Sequence, residues 1–136
     1  MPDRLFTPNE ANSALPEVRE AAERLVALRK RMHALDRQQR DLVTAIGGNG
    51  GAYSGNDLNA AQDELRSLAE AASACVDRLL ELGVLVKDPD LGLVDFPAMR
   101  EGELVLLCWH VGEGDVAYWH GMTDGFAGRR PIDWSE

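Results

Sequence analysis

The chain has 136 residues, of which 45% are hydrophobic and 27% charged, a composition typical of a soluble globular protein with one domain, residues 1–136. Its longest apolar run, Leu104 to Trp109, is far shorter than the roughly 20 residues of a transmembrane helix, so the sequence predicts no membrane association. The N-terminus has no apolar segment of the secretory type, and we therefore expect a cytoplasmic protein in which Cys75 and Cys108 are reduced thiols.

The formal net charge of −9 is unevenly distributed along the chain. Residues 1–46 hold eight Lys or Arg and seven Asp or Glu, whereas residues 47–136 hold six basic and sixteen acidic side chains. The one locally basic stretch, Arg29 to Arg31, lies among acidic residues of a predicted helix. Because affinity for nucleic acid depends on Lys and Arg neutralising phosphates, we expect no nucleic-acid partner.

Two long helices are predicted in the first 83 residues. Thr7 to Glu10 has the composition of a capping box, and Pro16 follows so soon that we expect a short helix to about Ala14 and then a new or kinked helix from Leu15. Apolar residues then recur with a mean period of 3.5, the spacing of a coiled-coil seam. The seam positions are Val18, Ala21, Leu25, Leu28, Met32, Leu35, Gln39, Leu42 and Ile46.

A glycine-rich stretch, residues 47–55, interrupts this pattern. It matches neither a phosphate-binding loop nor a dinucleotide fingerprint, so it is interpreted as a flexible connection between helices. A second helix with the same spacing begins near Asn56 and ends before Gly83, where a left-handed C-cap residue is expected. Together the helices predict a long antiparallel, coiled-coil-like hairpin over about residues 7–83.

After Gly83 the apolar pattern changes to that of β-strands. Short apolar runs near residues 84–86, 93–96, 103–110 and 116–120 are separated by turns rich in Gly, Asp and Pro. They predict a three- or four-stranded antiparallel β-meander, which with its tail occupies about residues 84–136. The predicted fold class is α+β.

Several segments resemble one protein family. They are Phe6-Thr7 with Glu10-Ala11-Asn12 and Leu15-Pro16, residues 92–97, Leu107-Cys108-Trp109 with Gly112-Glu113, Trp119-His120, and residues 125–129. Together they are similar to the bacterial domain-of-unknown-function family 2203, over nearly the whole chain. The resemblance implies a complete, single-domain bacterial protein, and it implies nothing about mechanism.

Candidate chemistry is confined to the predicted meander. Carboxylate, imidazole and thiolate are the ligands of zinc and iron sites, although no established metal-binding spacing is present. The candidate metal ligands are Asp95, Cys108, His110, Glu113 and His120. Arg129, with Arg130 beside it, is a candidate for binding an anion or a carboxylate, although a surface ion pair with Asp124 or Asp133 is the commoner role for such residues.

The turn between the last two predicted strands decides whether the two histidines can meet. A turn of two or four residues would put them on opposite faces of the sheet. A turn of three or five would leave Trp109 with Trp119 and bring four side chains to the other face, namely Cys108, His110, Tyr118 and His120. A histidine on an apolar strand is nevertheless most often a hydrogen-bonded core residue, and Glu113 between two glycines is typical of an exposed turn.

The length of the first helix favours an interaction module. About 29 helical residues would span roughly 43 Å, against roughly 25 Å for a strand of seven or eight residues. The hairpin should therefore extend beyond the sheet and leave part of its seam exposed. We expect a homodimeric interaction or ligand-binding module. The alternative is a zinc- or iron-binding protein, or a metal-assisted enzyme, with its site on the meander.

Overall fold

The computed structural model describes the backbone of residues 2–49 and 55–135, and the side chains of these residues except 45–49 and 55–57. Helix α1 is Pro8–Asn49 and helix α2 is Gly55–Glu81. The strands are β1 Leu85–Asp88, β2 Leu93–Arg100, β3 Glu103–Trp109, β4 Tyr118–Gly121 and β5 Arg130–Pro131, with a 3₁₀ turn at Phe126–Gly128. They form one antiparallel sheet in the order β1-β2-β3-β4-β5.

This architecture confirms the predicted α+β fold, a helical hairpin followed by an antiparallel meander. Ion pairs of Glu17 with Arg78 and of Arg31 with Glu64 join α1 to α2 in opposite chain directions, as an antiparallel pair requires. The sheet has five strands rather than three or four, because the two-residue β5 is too short to leave a period in the sequence. None of the helices in the described part of the chain is long and apolar enough to cross a membrane.

Both predicted helix caps are present. The Thr7 backbone N–H donates to Glu10 Oε1 at 2.9 Å, and the Glu10 N–H donates to Thr7 Oγ1 at 3.0 Å, which is a capping box. After α2, the Gly83 N–H donates to the Leu80 carbonyl and the Val84 N–H to the Leu79 carbonyl. Gly83 has φ +90°, so this end is a Schellman motif with glycine at the left-handed position.

The predicted interruption at Pro16 was wrong in one respect, because α1 is a single helix that includes this residue. An internal proline removes one helical hydrogen bond, at a cost of about 3 kcal/mol. Packing on both sides of it outweighs this cost, since Leu15 and Val18 are buried in the main hydrophobic core. The Asn12 amide also exchanges hydrogen bonds with the backbone of Val116, at 2.7 and 3.1 Å.

The glycine-rich connection is shorter than the sequence predicts. Residues 47–49 still belong to α1, and α2 begins at Gly55. Glycine costs about 1 kcal/mol relative to alanine within a helix, which a helix of this length tolerates at its end. The prediction of a flexible loop otherwise falls on residues 50–54, which lie outside the described residues.

The main hydrophobic core lies between the helices and one face of the sheet. From the strands it contains Val94, Phe96, Val105, Leu107, Trp109 and Trp119. From the helices it contains Val18, Leu25, Cys75 and Leu79 among others. The residues that alternate with these strand positions point to the opposite face, which we call the outer face. The chain after β4 crosses part of the outer face, with Phe126 in ring contact with His110.

The far ends of the helices extend beyond the sheet, as predicted. The helical residues packed in or against the main core end at Met32 in α1 and begin at Ala72 in α2. At about 1.5 Å per residue α1 is roughly 63 Å long, whereas the eight residues of β2 span about 27 Å. Residues 34–49 and 55–71 form a projecting segment that we call the distal arm.

Candidate functional site

The register of β3 with β4 brings the predicted residues to one face of the sheet. Leu106 pairs with His120, Leu107 with Trp119 and Cys108 with Tyr118. This is the odd register, so His120 shares the outer face with Cys108 while Trp119 points to the core. Asp95 pairs with Cys108 from the other side and joins the same face.

Three of the five candidate ligands meet. The potential ligand atoms of Asp95, Cys108 and His120 all lie within 4.8 Å of one another. The three residues are 1%, 1% and 4% exposed, so each is almost fully removed from solvent. We call this group the open cluster, because one of its buried oxygen atoms has no hydrogen-bond partner among the described residues.

His120 is oriented by its own backbone. Its Nδ1 lies 2.8 Å from the Gly121 carbonyl oxygen, which can only accept, so Nδ1 carries a hydrogen. The other nitrogen, Nε2, faces Asp95 Oδ1 at 3.1 Å. In a neutral ring Nε2 therefore presents a lone pair toward the cluster, the arrangement of metal-binding histidines whose second nitrogen donates to a backbone carbonyl.

Asp95 is the residue whose hydrogen bonding is incomplete. Its Oδ1 faces His120, but its Oδ2 is buried without a hydrogen-bond partner among the described residues. Lys87 lies farther away, with its Nζ 4.0 Å from Oδ2. Burial raises the pKa of Asp95 above its ordinary value, against the opposing effects of His120 and Lys87. A buried carboxylate oxygen of this kind has unused capacity for a cation.

Cys108 completes the open cluster as a protonated thiol. Burial, with a smaller contribution from the nearby Asp95 carboxylate, raises its pKa to about 11. Arg129 opposes this shift without reversing it. A thiol with this pKa is unreactive as a nucleophile at neutral pH, and a bound metal ion would have to displace its proton.

A cavity of about 220 Å³ opens beside the cluster. Asp95 and His120 contribute to its lining together with Lys87 and a set of apolar residues. The apolar residues are Leu93, Leu106, Met122 and Phe126. Two of the three candidate ligands are therefore reachable from a space that can hold water or a small molecule.

The other two candidate ligands form a separate group with Arg129, which we call the closed cluster. Arg129 Nη1 lies 3.0 Å from Glu113 Oε1 and 2.9 Å from Oε2. Glu113 Oε1 also accepts from the His110 backbone N–H at 3.1 Å. The His110 ring donates through Nδ1 to the Val111 carbonyl at 2.8 Å, which leaves its Nε2 3.7 Å from Glu113. His110 and Glu113 thus lie outside the group of three.

One expectation about this region was wrong, and another holds for Arg130 only. The Glu113 side chain is only 15% exposed, because Arg129 holds it against the sheet instead of leaving it in a solvated turn. Arg130 pairs with Asp124, one of the two expected partners, whereas Arg129 pairs with Glu113 and Asp133 pairs with Arg100. The Arg129 guanidinium also stacks on Tyr118 and Phe126, at 4.2 and 4.4 Å from the ring centroids. The anion that it binds is part of the same chain.

Comparison with protein-family models gave a match over residues 4–132, to a family described as an uncharacterized conserved protein, DUF2203. The chain belongs to this family. Neither the comparison with curated proteins nor the comparison with solved structures gave a match. The DUF2203 match agrees with the resemblance noted in the sequence and spans both the helical hairpin and the sheet.

Sequence reasoning missed Lys87 as a residue of the site in this DUF2203 protein. The predicted strand ended at Val86, which placed Lys87 in a turn, whereas β1 continues to Asp88. The register of β1 with β2 shifts between Val86 and Asp88, so simple alternation would not have located the lysine. The contribution of Met122 and Phe126 to the cavity lining could not be recognised in the sequence, because these residues lie outside the strands.

Proposed function

We propose that this protein binds a divalent transition metal ion, with zinc or iron as the candidates, through Asp95, Cys108 and His120. The observation that carries the proposal is the buried Asp95 Oδ2, which has no hydrogen-bond partner among the described residues and lies beside two other potential ligands. A buried carboxylate oxygen left without a partner is costly, and a cation would remove that cost.

The spacing of the open cluster supports a four-coordinate ion. Zinc bonds of about 2.0–2.3 Å in a tetrahedron separate the ligand atoms by roughly 3.3–3.8 Å. The three potential ligand atoms lie within 4.8 Å of one another, and His120 Nε2 to Asp95 Oδ1 is 3.1 Å. Small side-chain rotations would reach the ideal spacing without a change in the backbone.

The cavity supports an open coordination position. Structural zinc sites use four protein ligands, whereas catalytic sites use three and leave the fourth for water or substrate. The open cluster offers three ligands, and the cavity adjoins Asp95 and His120. A metal ion held there would supply Lewis acidity to a molecule in the cavity, which is the chemistry of metal-assisted hydrolysis.

Elemental analysis of protein purified without a histidine tag tests the proposal. We expect about one zinc or iron ion per chain in the wild-type protein, or its recovery when metal-free protein is titrated with zinc. Asp95→Asn should abolish stoichiometric binding. Asp115→Asn is the matched control, since Asp115 is exposed. Wild-type protein that neither contains nor takes up zinc, iron or manganese would refute the proposal.

A second candidate function, self-association through the distal arm, is favoured by the exposure of apolar residues there. The seam residues Leu42, Leu58, Leu65 and Leu68 are only partly buried. Val43 is 54% exposed. A second copy of the chain packed on the arm would bury these surfaces and give the expected homodimer.

Light scattering after size exclusion would test this second candidate. We expect a dimer at tens of micromolar and a monomer for Val43→Glu, which adds a charge to an apolar surface without changing the core. Ser67→Glu, at an exposed polar position of the same arm, should remain dimeric. A wild-type monomer at these concentrations would contradict the homodimer.

A further inference from the structure

We infer that the cavity beside the open cluster takes a small organic monoanion, a carboxylate with a compact apolar group, whose charged end lies between the metal position and Lys87. This inference rests on the proposed metal site and deepens it by naming the class of ligand. It is carried by the chemistry of the cavity lining: among the described residues, an apolar wall and one lysine surround the proposed ligands Asp95 and His120.

The wall of the cavity is more apolar than its position at the surface would require. Leu93 and Leu106 lie on the sheet, and Met122 and Phe126 extend over them from the chain after β4. Met122 is 55% exposed and Phe126 43% exposed, although both are large apolar side chains. An apolar group in the cavity would cover parts of these side chains that the protein itself leaves in contact with water.

Lys87 is the cationic group that lines the cavity. Its side chain is half exposed, and its Nζ lies 4.0 Å from Asp95 Oδ2. In the proposed metal-bound state the charges of Asp95 and a Cys108 thiolate balance those of a divalent ion, and the histidine is neutral. The Lys87 charge is then left without a counter-ion, so the cavity carries about one net positive charge.

The closed cluster does not alter this charge balance. Glu113 and Arg129 neutralise each other through contacts of 2.9 and 3.0 Å. A monoanion is therefore the ligand whose charge the cavity matches. With a volume of about 220 Å³, the cavity is also smaller than the roughly 300–1,000 Å³ of drug-sized sites, which limits the ligand to a small molecule.

Three small-molecule probes distinguish the contribution of the ligand's charge from that of its apolar group. Phenylacetate carries both the charge and the apolar group, phenylacetamide only the apolar group, and acetate only the charge. Dissociation constants are measured on zinc-loaded protein by following the backbone amide signals of Gly125 and Phe126, which line the cavity. We expect phenylacetate to bind at least about tenfold more tightly than either of the other two.

The two lysines of the chain provide a matched pair of variants. Lys87→Met keeps the aliphatic stem and should weaken phenylacetate about tenfold while leaving phenylacetamide unchanged. Lys87→Arg should restore most of the affinity. Lys30→Met removes the same charge from an exposed position of α1 and should have no effect.

The failures of the inference and of the metal site are distinguishable. If zinc binds and depends on Asp95, but phenylacetate binds no better than phenylacetamide or acetate, the inference is wrong and the metal site stands. The same holds if Lys87→Met behaves like Lys30→Met. If the wild-type protein takes up no metal, both the inference and the proposed function are wrong.

Discussion

Two polar clusters lie side by side on the outer face of the sheet, and they differ in whether each charged atom has a partner. In the closed cluster, both carboxylate oxygens of Glu113 contact Arg129, and one also accepts from the His110 backbone N–H. In the open cluster, one oxygen of Asp95 contacts His120 and the other has no hydrogen-bond partner among the described residues. The more deeply buried carboxylate is the one with fewer partners.

This difference separates a structural role from a binding role. A buried charge is tolerated when a partner and additional hydrogen bonds satisfy it, as in the closed cluster. Glu113 and Arg129 fix the turn after β3 and tie it to the chain after β4. Asp95 gains no comparable set of contacts among the described residues, and this is the observation on which the proposed metal site rests.

The largest expected effect tests which histidine binds metal. His120→Gln should weaken zinc binding more than about 100-fold, because it removes a ligand and not merely a supporting contact. His110→Gln should change it less than about threefold, since His110 lies outside the group of three potential ligands. Competition with a chromophoric chelator measures both constants. Equal losses for the two variants would show that the clusters are not distinct.

The next effect concerns the stability of the closed cluster. Arg129→Met should lower the free energy of unfolding by about 2–3 kcal/mol, below the 3–5 of fully buried pairs because both side chains retain some exposure. Urea denaturation of metal-free protein measures the loss. Glu113→Gln in the same chain should recover part of it, since no unpaired charge is then left. A loss within 0.5 kcal/mol, as for typical surface positions, would contradict a structural role.

A smaller effect, when counted for each pH unit, is the dependence of zinc affinity on pH. Because the pKa of Cys108 is raised to about 11, the thiol holds its proton at neutral pH and must release it on binding metal. The affinity should therefore rise at least about tenfold per pH unit between pH 7 and 9, above the usual titration range of histidine. Isothermal calorimetry in two buffers of different ionisation enthalpy measures the proton released. A constant affinity over this range would exclude Cys108 as a thiolate ligand.

Much of the fold could be predicted because its signals are local. The capping box at Thr7 and the left-handed position at Gly83 depend on neighbouring residues, and both were found. The continuation of α1 through Pro16 could not be predicted, because the contacts that accompany it join distant parts of the chain, such as Asn12 with Val116, 104 residues away. Strand β5 was not predicted, because a strand of two residues is too short to show the alternation of apolar and polar side chains.

The residue types of the site could be predicted from the sequence. Which of the candidate residues come together could not. Alternation along β2 and β3 places Asp95 and Cys108 on one face once the strands pair. The choice between His110 and His120 depends on the turn between them, where Glu113 folds back toward Arg129. That contact joins residues 16 positions apart in the chain, and no local sequence pattern predicts it. Lys87 depends in the same way on the register shift in β1.

The smallest expected effect is a change in stability on replacing Asp95. It tests whether this residue stabilises the fold or serves binding. Its pKa is raised in the folded protein mainly by burial, so the folded state holds the proton more tightly than the unfolded state. The protonated form therefore contributes stability at low pH, and this contribution is lost as the pH rises through the folded pKa. Above the folded pKa the ionised Asp95 should lower the stability of the metal-free protein.

Asp95→Asn removes this charge and keeps the size of the side chain, and its amide can donate to His120 Nε2. We expect metal-free Asp95→Asn to be more stable than the wild type by up to about 1 kcal/mol at pH 8, as is common when a functional residue is replaced by one that suits its surroundings better. The gain should shrink as the pH falls through the raised pKa of Asp95, because the wild-type carboxyl then becomes protonated. Saturating zinc should reverse the order, because only the wild type binds it. If the variant is instead less stable at pH 8 by more than about 1 kcal/mol, the contact between Asp95 and His120 is a structural ion pair, and the open cluster serves the same purpose as the closed one.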